Sequence, residues 1–300
     1  MKFMYQYPEL TGSGGDMLDA GPVGEVAVAV ESSGWSGFAF TEHPAPGANW
    51  LEAGGHQTLD PFPALAYVAA VTSRVRLLTY LAVVPYRNPL LLAKSAATVD
   101  KLSGGRFILG TGTGYLKSEF FALGVDFEER NALFDEALEV MPLHWKGDRF
   151  SFSGRHFQVR DAIARPRPVQ DPIPIWIGGN AKVTLRRVAQ RVQGWMPLVG
   201  APELATTART AYLGSLEEIA SKIAEMRDMA GDRAGGIDVA LGYVDRSIAD
   251  PEVDSERHRE FLGRAEEIGV TWIIVEGPPS TSLSATTDFI EGFASTYITA

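Results

Sequence analysis

Gly104-Gly105-Arg106-Phe107-Ile108-Leu109-Gly110-Thr111-Gly112-Thr113-Gly114-Tyr115-Leu116-Lys117-Ser118-Glu119 is the stretch on which the reading of the chain turns. Arg106 to Leu109 predicts a short buried strand. Gly110, Gly112 and Gly114 then alternate with Thr111 and Thr113. Backbone of this kind has no Cβ to hold a ligand away. Its N–H groups and the threonine hydroxyls suit a flat heterocycle or a phosphate. Phe120, Phe121 and Leu123 predict an apolar helical turn above it. Three readings compete. A dinucleotide fingerprint fits poorly: its third glycine would come one place early, with Tyr115 in its position, and such fingerprints usually open a domain. A plain glycine turn is common. The third reading is a cofactor loop at the C-terminal end of a barrel strand, and the flanking chain selects it.

Working outward, strand and helix patterns alternate. Toward the N-terminus lie strand Phe3 to Tyr7, helix Val23 to Ser33, strand Gly37 to Thr41, helix Pro61 to Thr72, strand Val75 to Val84 and helix Pro89 to Leu102. Asp60-Pro61 and Pro89 are good helix openers, and Ser103-Gly104-Gly105 is a good stop. Toward the C-terminus lies helix Glu128 to Trp145, with apolar Leu133, Phe134, Ala137, Leu138 and Met141. Lys146 to Pro172 breaks the rhythm as an excursion, a small hairpin. Strand Ile173 to Ile177, strand Gly194 to Leu198, helix Ser215 to Met229, strand Ile237 to Val244, helix Ser255 to Ile268, strand Val270 to Glu276 and helix Thr287 to Ala294 follow. Ser215 and Glu218 form a capping-box pattern. About eight strand–helix pairs predict one α/β domain over residues 1–300, a closed (β/α)8 barrel, with a doubly wound open sheet as runner-up.

Composition narrows the function. The 300 residues carry 27 Lys+Arg against 37 Asp+Glu, a net charge of −10, which does not favour nucleic acid. There is no cysteine, so disulfides and thiolate chemistry are excluded. The first residues lack a signal peptide's apolar core, and no apolar run is long enough to span a bilayer. A cytoplasmic protein with no membrane partner is the expectation. No metal-ligand motif stands out, and Gly12-Ser13-Gly14-Gly15 lacks the flanks of a nucleophile elbow.

In such a barrel the chemistry sits where strands end. The second strand ends in Thr41-Glu42-His43-Pro44, which makes His43 the best-placed acid–base group of the five histidines. His56 and Trp50 follow in a long glycine-rich loop, where Trp50 either walls a pocket or packs the loop. His144, His156 and His258 fall on outer helices or the excursion and read as surface residues. Tyr80 reads either as a site residue or as a core tyrosine. Gly178-Gly179-Asn180 opens a helix, a place suited to an anion, although Asn180 also reads as an ordinary N-cap.

Taken together, Pro85-Tyr86-Arg87-Asn88-Pro89 with Ala93-Lys94, Leu102-Ser103-Gly104-Gly105-Arg106, Gly110-Thr111-Gly112-Thr113-Gly114 and Glu119-Phe120 resemble the bacterial luciferase-like superfamily of flavin- and deazaflavin-dependent oxidoreductases. The likeness runs over most of the chain. It implies a TIM-type barrel with the ring at the strand C-termini. It also implies a bulge in the third strand with a non-proline cis peptide at Tyr80–Leu81, or in a second register at Thr79–Tyr80. Thr79, Tyr80, Leu81, Gly112, Thr113, Gly114 and Tyr115 would border the ring and tail, and Gly178, Gly179 and Asn180 would hold the phosphate. Glu42-His43 is similar to the acidic-residue–His pair of the deazaflavin branch, in which the histidine faces the reactive C5, so both are candidate catalytic residues. Two departures stand out: Gln193 replaces a frequent Asp, and Tyr115 replaces a Glu found in some deazaflavin dehydrogenases. The second speaks against sugar-phosphate dehydrogenation.

Coenzyme F420 with a small organic substrate is therefore expected. The alternatives are a flavin mononucleotide (FMN) monooxygenase using dioxygen and a non-catalytic flavin- or deazaflavin-binding barrel. The substrate would lie above the ring, between the loop after the second strand and the excursion near Phe150 to Val159. The resemblance also implies a homodimer paired through outer helices.

Overall fold

The computed structural model describes residues 1–11, 15–278 and 282–298; Gly12, Ser13 and Gly14 of the elbow-like segment lie outside them. Among the described residues, eight parallel strands close on themselves. They are β1 (Lys2–Gln6), β2 (Gly37–Phe40), β3 (Arg76–Thr79), β4 (Phe107–Gly112), β5 (Ile175–Gly178), β6 (Gly194–Met196), β7 (Asp238–Gly242) and β8 (Trp272–Glu276). Each pairs with its sequence neighbour, and β8 pairs back to β1 with Lys2 opposite Trp272 and Gln6 opposite Glu276. The fold is a (β/α)8 barrel.

Eight main helices follow the strands: α1 (Val23–Ser32), α2 (Pro61–Val71), α3 (Pro89–Leu102), α4 (Arg130–Lys146), α5 (Lys182–Arg191), α6 (Leu216–Ala230), α7 (Ser255–Glu267) and α8 (Leu283–Phe293). Their starts obey local chemistry. Asp60 accepts a bond from the Phe62 amide, and Asn88 accepts one from the Leu90 amide, each ahead of a proline at the first helical position. A cap of this kind is worth about 1 kcal/mol. Ser215 and Glu218 form the full capping box at α6.

The strands are apolar on both sides, as a barrel wall requires. Met4, Ala39, Leu78, Ile108, Trp176, Ala240, Trp272 and Ile274 fill the inside. Phe3, Tyr5, Phe38, Leu77, Phe107 and Leu109 belong to the larger core shared with the helices. Lys146 to Pro172 does contain a hairpin, Arg149–Ser153 against Gln158–Ile163. Asp100 of α3 holds its return, accepting from the amides of Val169 (2.6 Å) and Gln170 (3.0 Å).

Two local expectations are corrected. The fourth strand does not stop at Leu109; it runs through Gly110, Thr111 and Gly112, all buried. A Cβ at Gly110 would overlap the Thr79 carbonyl oxygen, so this glycine permits close strand approach and does not itself offer backbone to a ligand. His258 and His144 are also not surface residues, being 0% and 5% exposed. The His258 ring is held between the Tyr243 and Ser247 hydroxyls, which satisfies a polar group that burial would otherwise penalise.

Candidate active site

The C-terminal ends of the strands surround a cavity of about 380 Å³. Of the residues singled out from sequence, Glu42, His43, Tyr80, Leu81, Gly112, Thr113, Gly114, Tyr115, Gly178 and Gly179 line it. Thr79 and Asn180 do not. Thr79 is fully buried and its hydroxyl donates to the Gly110 carbonyl at 2.7 Å. The Asn180 side chain donates to the carbonyls of Leu198 and Ala211 and accepts from the Leu198 amide, tying two loops together behind the cavity.

The floor is built by the third strand. Pairing stops after Thr79, the Tyr80–Leu81 peptide is cis, and pairing to β4 resumes at Ala82. The Leu81 side chain lies over Gly112 and Gly178, where a Cβ on either glycine would collide with it. Gly114 has φ +79°, and a Cβ there would press on Val83 and Phe120. These glycines shape an apolar floor from two neighbouring strands.

On one wall, the His43 ring packs against Trp50 with centroids 4.6 Å apart and the planes tilted by 38°, and it meets His56 edge-on at 4.8 Å. Trp50 thus packs behind the histidine. His43 Nδ1 lies 3.3 Å from Oε2 of Glu119, which is completely buried. Glu119 also accepts from the Tyr86 hydroxyl at 2.7 Å and the Ala45 amide at 3.2 Å. A carboxylate with three donors is well compensated for burial and fixes the imidazole, leaving Nε2 for the cavity. Burial, and then the bond to Glu119, pushes the Tyr86 phenol far above its ordinary range.

Glu42 has a different setting. Its carboxylate is ion-paired with Arg87 and accepts from the Val83 amide at 2.7 Å. Burial raises its carboxyl, and the Arg87 charge offsets part of that rise. The geometry makes Glu42 a clamp between the end of β2 and the segment after the cis peptide.

On the same wall, His56 brings with it a polar residue, Glu9, that carried little signal in sequence. Glu9 Oε2 lies 3.1 Å from His56 Nδ1. Burial, reinforced by the nearby Glu276 carboxylate, raises the Glu9 carboxyl to about 8. Burial, reinforced by His43, lowers His56 to about 3. Burial opposes charge on both members, and at this distance they titrate as a pair. Short strands Leu10–Thr11 and His56–Gln57 pair and bring them together.

At the far end, Gly179 has φ +108°, and a Cβ placed there would meet the Thr184 hydroxyl at 3.6 Å and the Thr210 hydroxyl at 4.0 Å. The Gly179 amide already donates to Met196 O and the Asn180 amide to Thr210 Oγ1. The open donors therefore belong to the first turn of α5, whose N-cap, Ala181, supplies no side-chain bond. Ala181, Val183 and Thr184 line the cavity here. Backbone amides, a helix dipole and two hydroxyls form a cradle suited to phosphate. A flat floor with a phosphate cradle at one end fits a flavin- or deazaflavin-type nucleotide.

The comparisons with known proteins agree with that geometry. Residues 3–242 match the family model for luciferase-like monooxygenases. The chain belongs to this family. A Segniliparus rotundus protein named as an F420-dependent glucose-6-phosphate dehydrogenase is 32% identical over 222 residues, spanning 71% of this chain and 61% of that enzyme. An uncharacterised Mycobacterium tuberculosis protein is 28% identical over 292 residues, spanning 91% and 93% of the two chains. Two solved structures share the fold. A long-chain alkane monooxygenase superposes with TM-score 0.77 at 14% identity over 98% of this chain and 90% of its own. An F420-dependent secondary alcohol dehydrogenase superposes with TM-score 0.74 at 17% identity over 99% and 98%. As a luciferase-like protein the chain is an oxidoreductase, from a family whose members use F420 or flavin.

Proposed function

We propose that this oxidoreductase uses coenzyme F420 to move a hydride to or from a small organic substrate bound above the cavity floor. The observation that carries the reading is the His43–Glu119–Tyr86 chain. A cavity-lining imidazole is oriented by a buried carboxylate that is itself held by a phenol and an amide. Bound there, the deazaflavin supplies two-electron hydride chemistry at its C5. The chain's own residues do the rest. Leu81, Gly112 and Gly114 support the ring, and the first turn of α5 with Thr184 and Thr210 takes the phosphate. His43 accepts the proton a substrate hydroxyl loses as its carbon gives up hydride, and returns it in the reverse direction. Glu119 stabilises the imidazolium so formed. Glu42 keeps β2 and the third-strand bulge in register.

The F420 named for the 32% identical relative supports this choice of ring. An FMN monooxygenase is the second reading, favoured by the family description itself. A non-catalytic barrel would have no use for the oriented His43. A screen of alcohols and carbonyl compounds tests the proposal. Loss of the oxidised deazaflavin's visible absorbance with one substrate class supports it; FMN- and oxygen-dependent product formation without deazaflavin turnover overturns it.

The proposed assembly is a homodimer through the outer helices. Val28, Tyr67 and Val71 of the adjacent α1 and α2 support it, being exposed apolar side chains at 47%, 55% and 37%. A monomer in sedimentation at micromolar concentration would remove it.

A further inference from the structure

The cavity lining, next in sequence to Thr210 of the phosphate cradle, carries cations with few acidic partners. Arg130 and Arg209 belong to it. Both guanidinium groups, with the Lys117 ammonium, gather round the ring of Phe127. Arg130 lies 3.9 Å from its centroid, and Arg209 and Lys117 each lie 5.0 Å from it. A ring quadrupole accommodates one cation well; three around a single ring repel one another. One carboxylate, the 75%-exposed Glu128, stands 4.0 Å from Arg130 and 3.8 Å from Lys117, at the edge of ion-pair range. Among the described residues no carboxylate lies within ion-pair range of Arg209.

Two backbone features add to this. Arg130 opens α4, where its positive charge faces the positive end of the helix dipole, an unfavourable placement. Arg209 is a non-glycine residue at φ +53°, in the left-handed region that most residues avoid. In a chain of net charge −10, these charges also form a local exception to the overall field. By contrast Arg187, also lining the cavity, is paired to Asp135 at 2.8 Å through two nitrogens and donates to Asn131. Arg187 is spent on structure, whereas Arg130 gives only Nη1 to the Phe127 carbonyl, at 2.8 Å, and Arg209 has no ion pair among the described residues, so charge is left for a ligand.

We infer that Arg130 and Arg209, with Lys117 behind them, bind a carboxylate-bearing chain that extends past the cofactor phosphate, and so select F420 over FMN. The inference rests on the F420 reading above. FMN ends at its phosphate, whereas F420 continues into a lactyl oligoglutamate, a flexible polyanion. That tail places carboxylates where the cations converge, and each contact is an exposed charge pair weakened by salt.

The test is fluorescence titration of the purified protein with three probes: F420 carrying several glutamates, its phosphate-bearing form with none, and FMN. The glutamylated form should bind at least about tenfold tighter than the form without glutamates, as expected for two or more partly screened charge pairs. Raising the salt should shrink that gap. Arg130→Gln with Arg209→Gln should close it while leaving the form without glutamates bound as before. Where Arg130→Gln disturbs folding, Arg209→Gln alone, on an exposed side chain, should give a smaller loss of the same kind. Equal affinity for the two deazaflavin forms in the wild type would overturn the inference and leave the F420 reading standing. Equal weakening of all three probes in the variants would also overturn it. Binding of FMN with neither deazaflavin form bound would overturn both.

Discussion

Glu31 and Glu9 are the same residue type at opposite ends of the barrel, and the fold treats them in opposite ways. Glu31 sits on the lower face, where its carboxylate accepts from the amides of Ser73, Arg74 and Val75. Burial works to raise its pKa, but those amides outweigh it and hold the group at about 2. Glu9 sits on the upper face, beside Glu276 and against His56, and is raised to about 8. The lower face satisfies its charges with backbone donors and gains stability. The upper face holds titratable groups such as Glu9 and His43 against a cavity, which is the condition acid–base chemistry requires. Arg106 below and His43 above repeat the contrast. Arg106 spends its guanidinium on the carbonyls of Ala69, Thr72, Val75 and Ser103, whereas His43 keeps one nitrogen free.

Substitutions on the two faces should therefore part stability from activity. The largest stability effect is expected for Arg106→Ala, which strips four carbonyls of a charged donor. A loss on the order of 3 kcal/mol in chemical denaturation is expected, with cofactor affinity per folded molecule unchanged. An equal loss of affinity would erase the contrast between the faces. His43→Ala should do the reverse. Turnover on whichever substrate the screen identifies should fall by ~100-fold or more, while the melting temperature changes little. A wild-type single-turnover rate would remove His43 from the mechanism.

Smaller effects sharpen the same comparison through pH. Glu31→Gln should cost about 1 kcal/mol at neutral pH after screening by solvent, and progressively less as pH falls toward 2. A depressed carboxyl stabilises above its unfolded pKa, and that contribution is lost as pH falls through its folded value. The Glu9–His56 pair has the opposite signature at high pH. Because the folded state keeps the Glu9 proton, stability declines as pH rises from the ordinary carboxyl range to about 8. Because His56 resists protonation, stability also declines as pH falls from the ordinary imidazole range to about 3. Glu9→Gln should abolish the alkaline slope and make the variant relatively more stable above pH 8. Melting curves across that range check it; an unchanged slope would assign the decline to another group.

How much of this was legible in the sequence depends on the range of the contacts involved. Strand–helix alternation and caps such as Asp60 and Ser215 act over a few residues, and they carried the barrel and most of its elements. The Tyr80–Leu81 cis peptide and the cavity-lining glycines came from a resemblance over several motifs. What local patterns could not show are contacts closed by the barrel itself. His43 and Glu119 lie 76 residues apart, and no periodicity links them. Glu119 stood in the resemblance without a role; a lone acid just after a glycine-rich strand end was the available signal. Gly110 looked like a ligand-binding glycine because its real neighbour, the Thr79 carbonyl, lies on another strand. His258 looked exposed because helix α7 is polar, yet a loop and the chain's last turn cover it.

The central claim is that the upper face is built for a deazaflavin with an acidic tail. Equilibrium dialysis of the wild-type protein against an equimolar mixture of glutamylated F420 and FMN tests it most directly. The account predicts that the retained cofactor is predominantly F420. Retention of FMN in excess over F420 would contradict it.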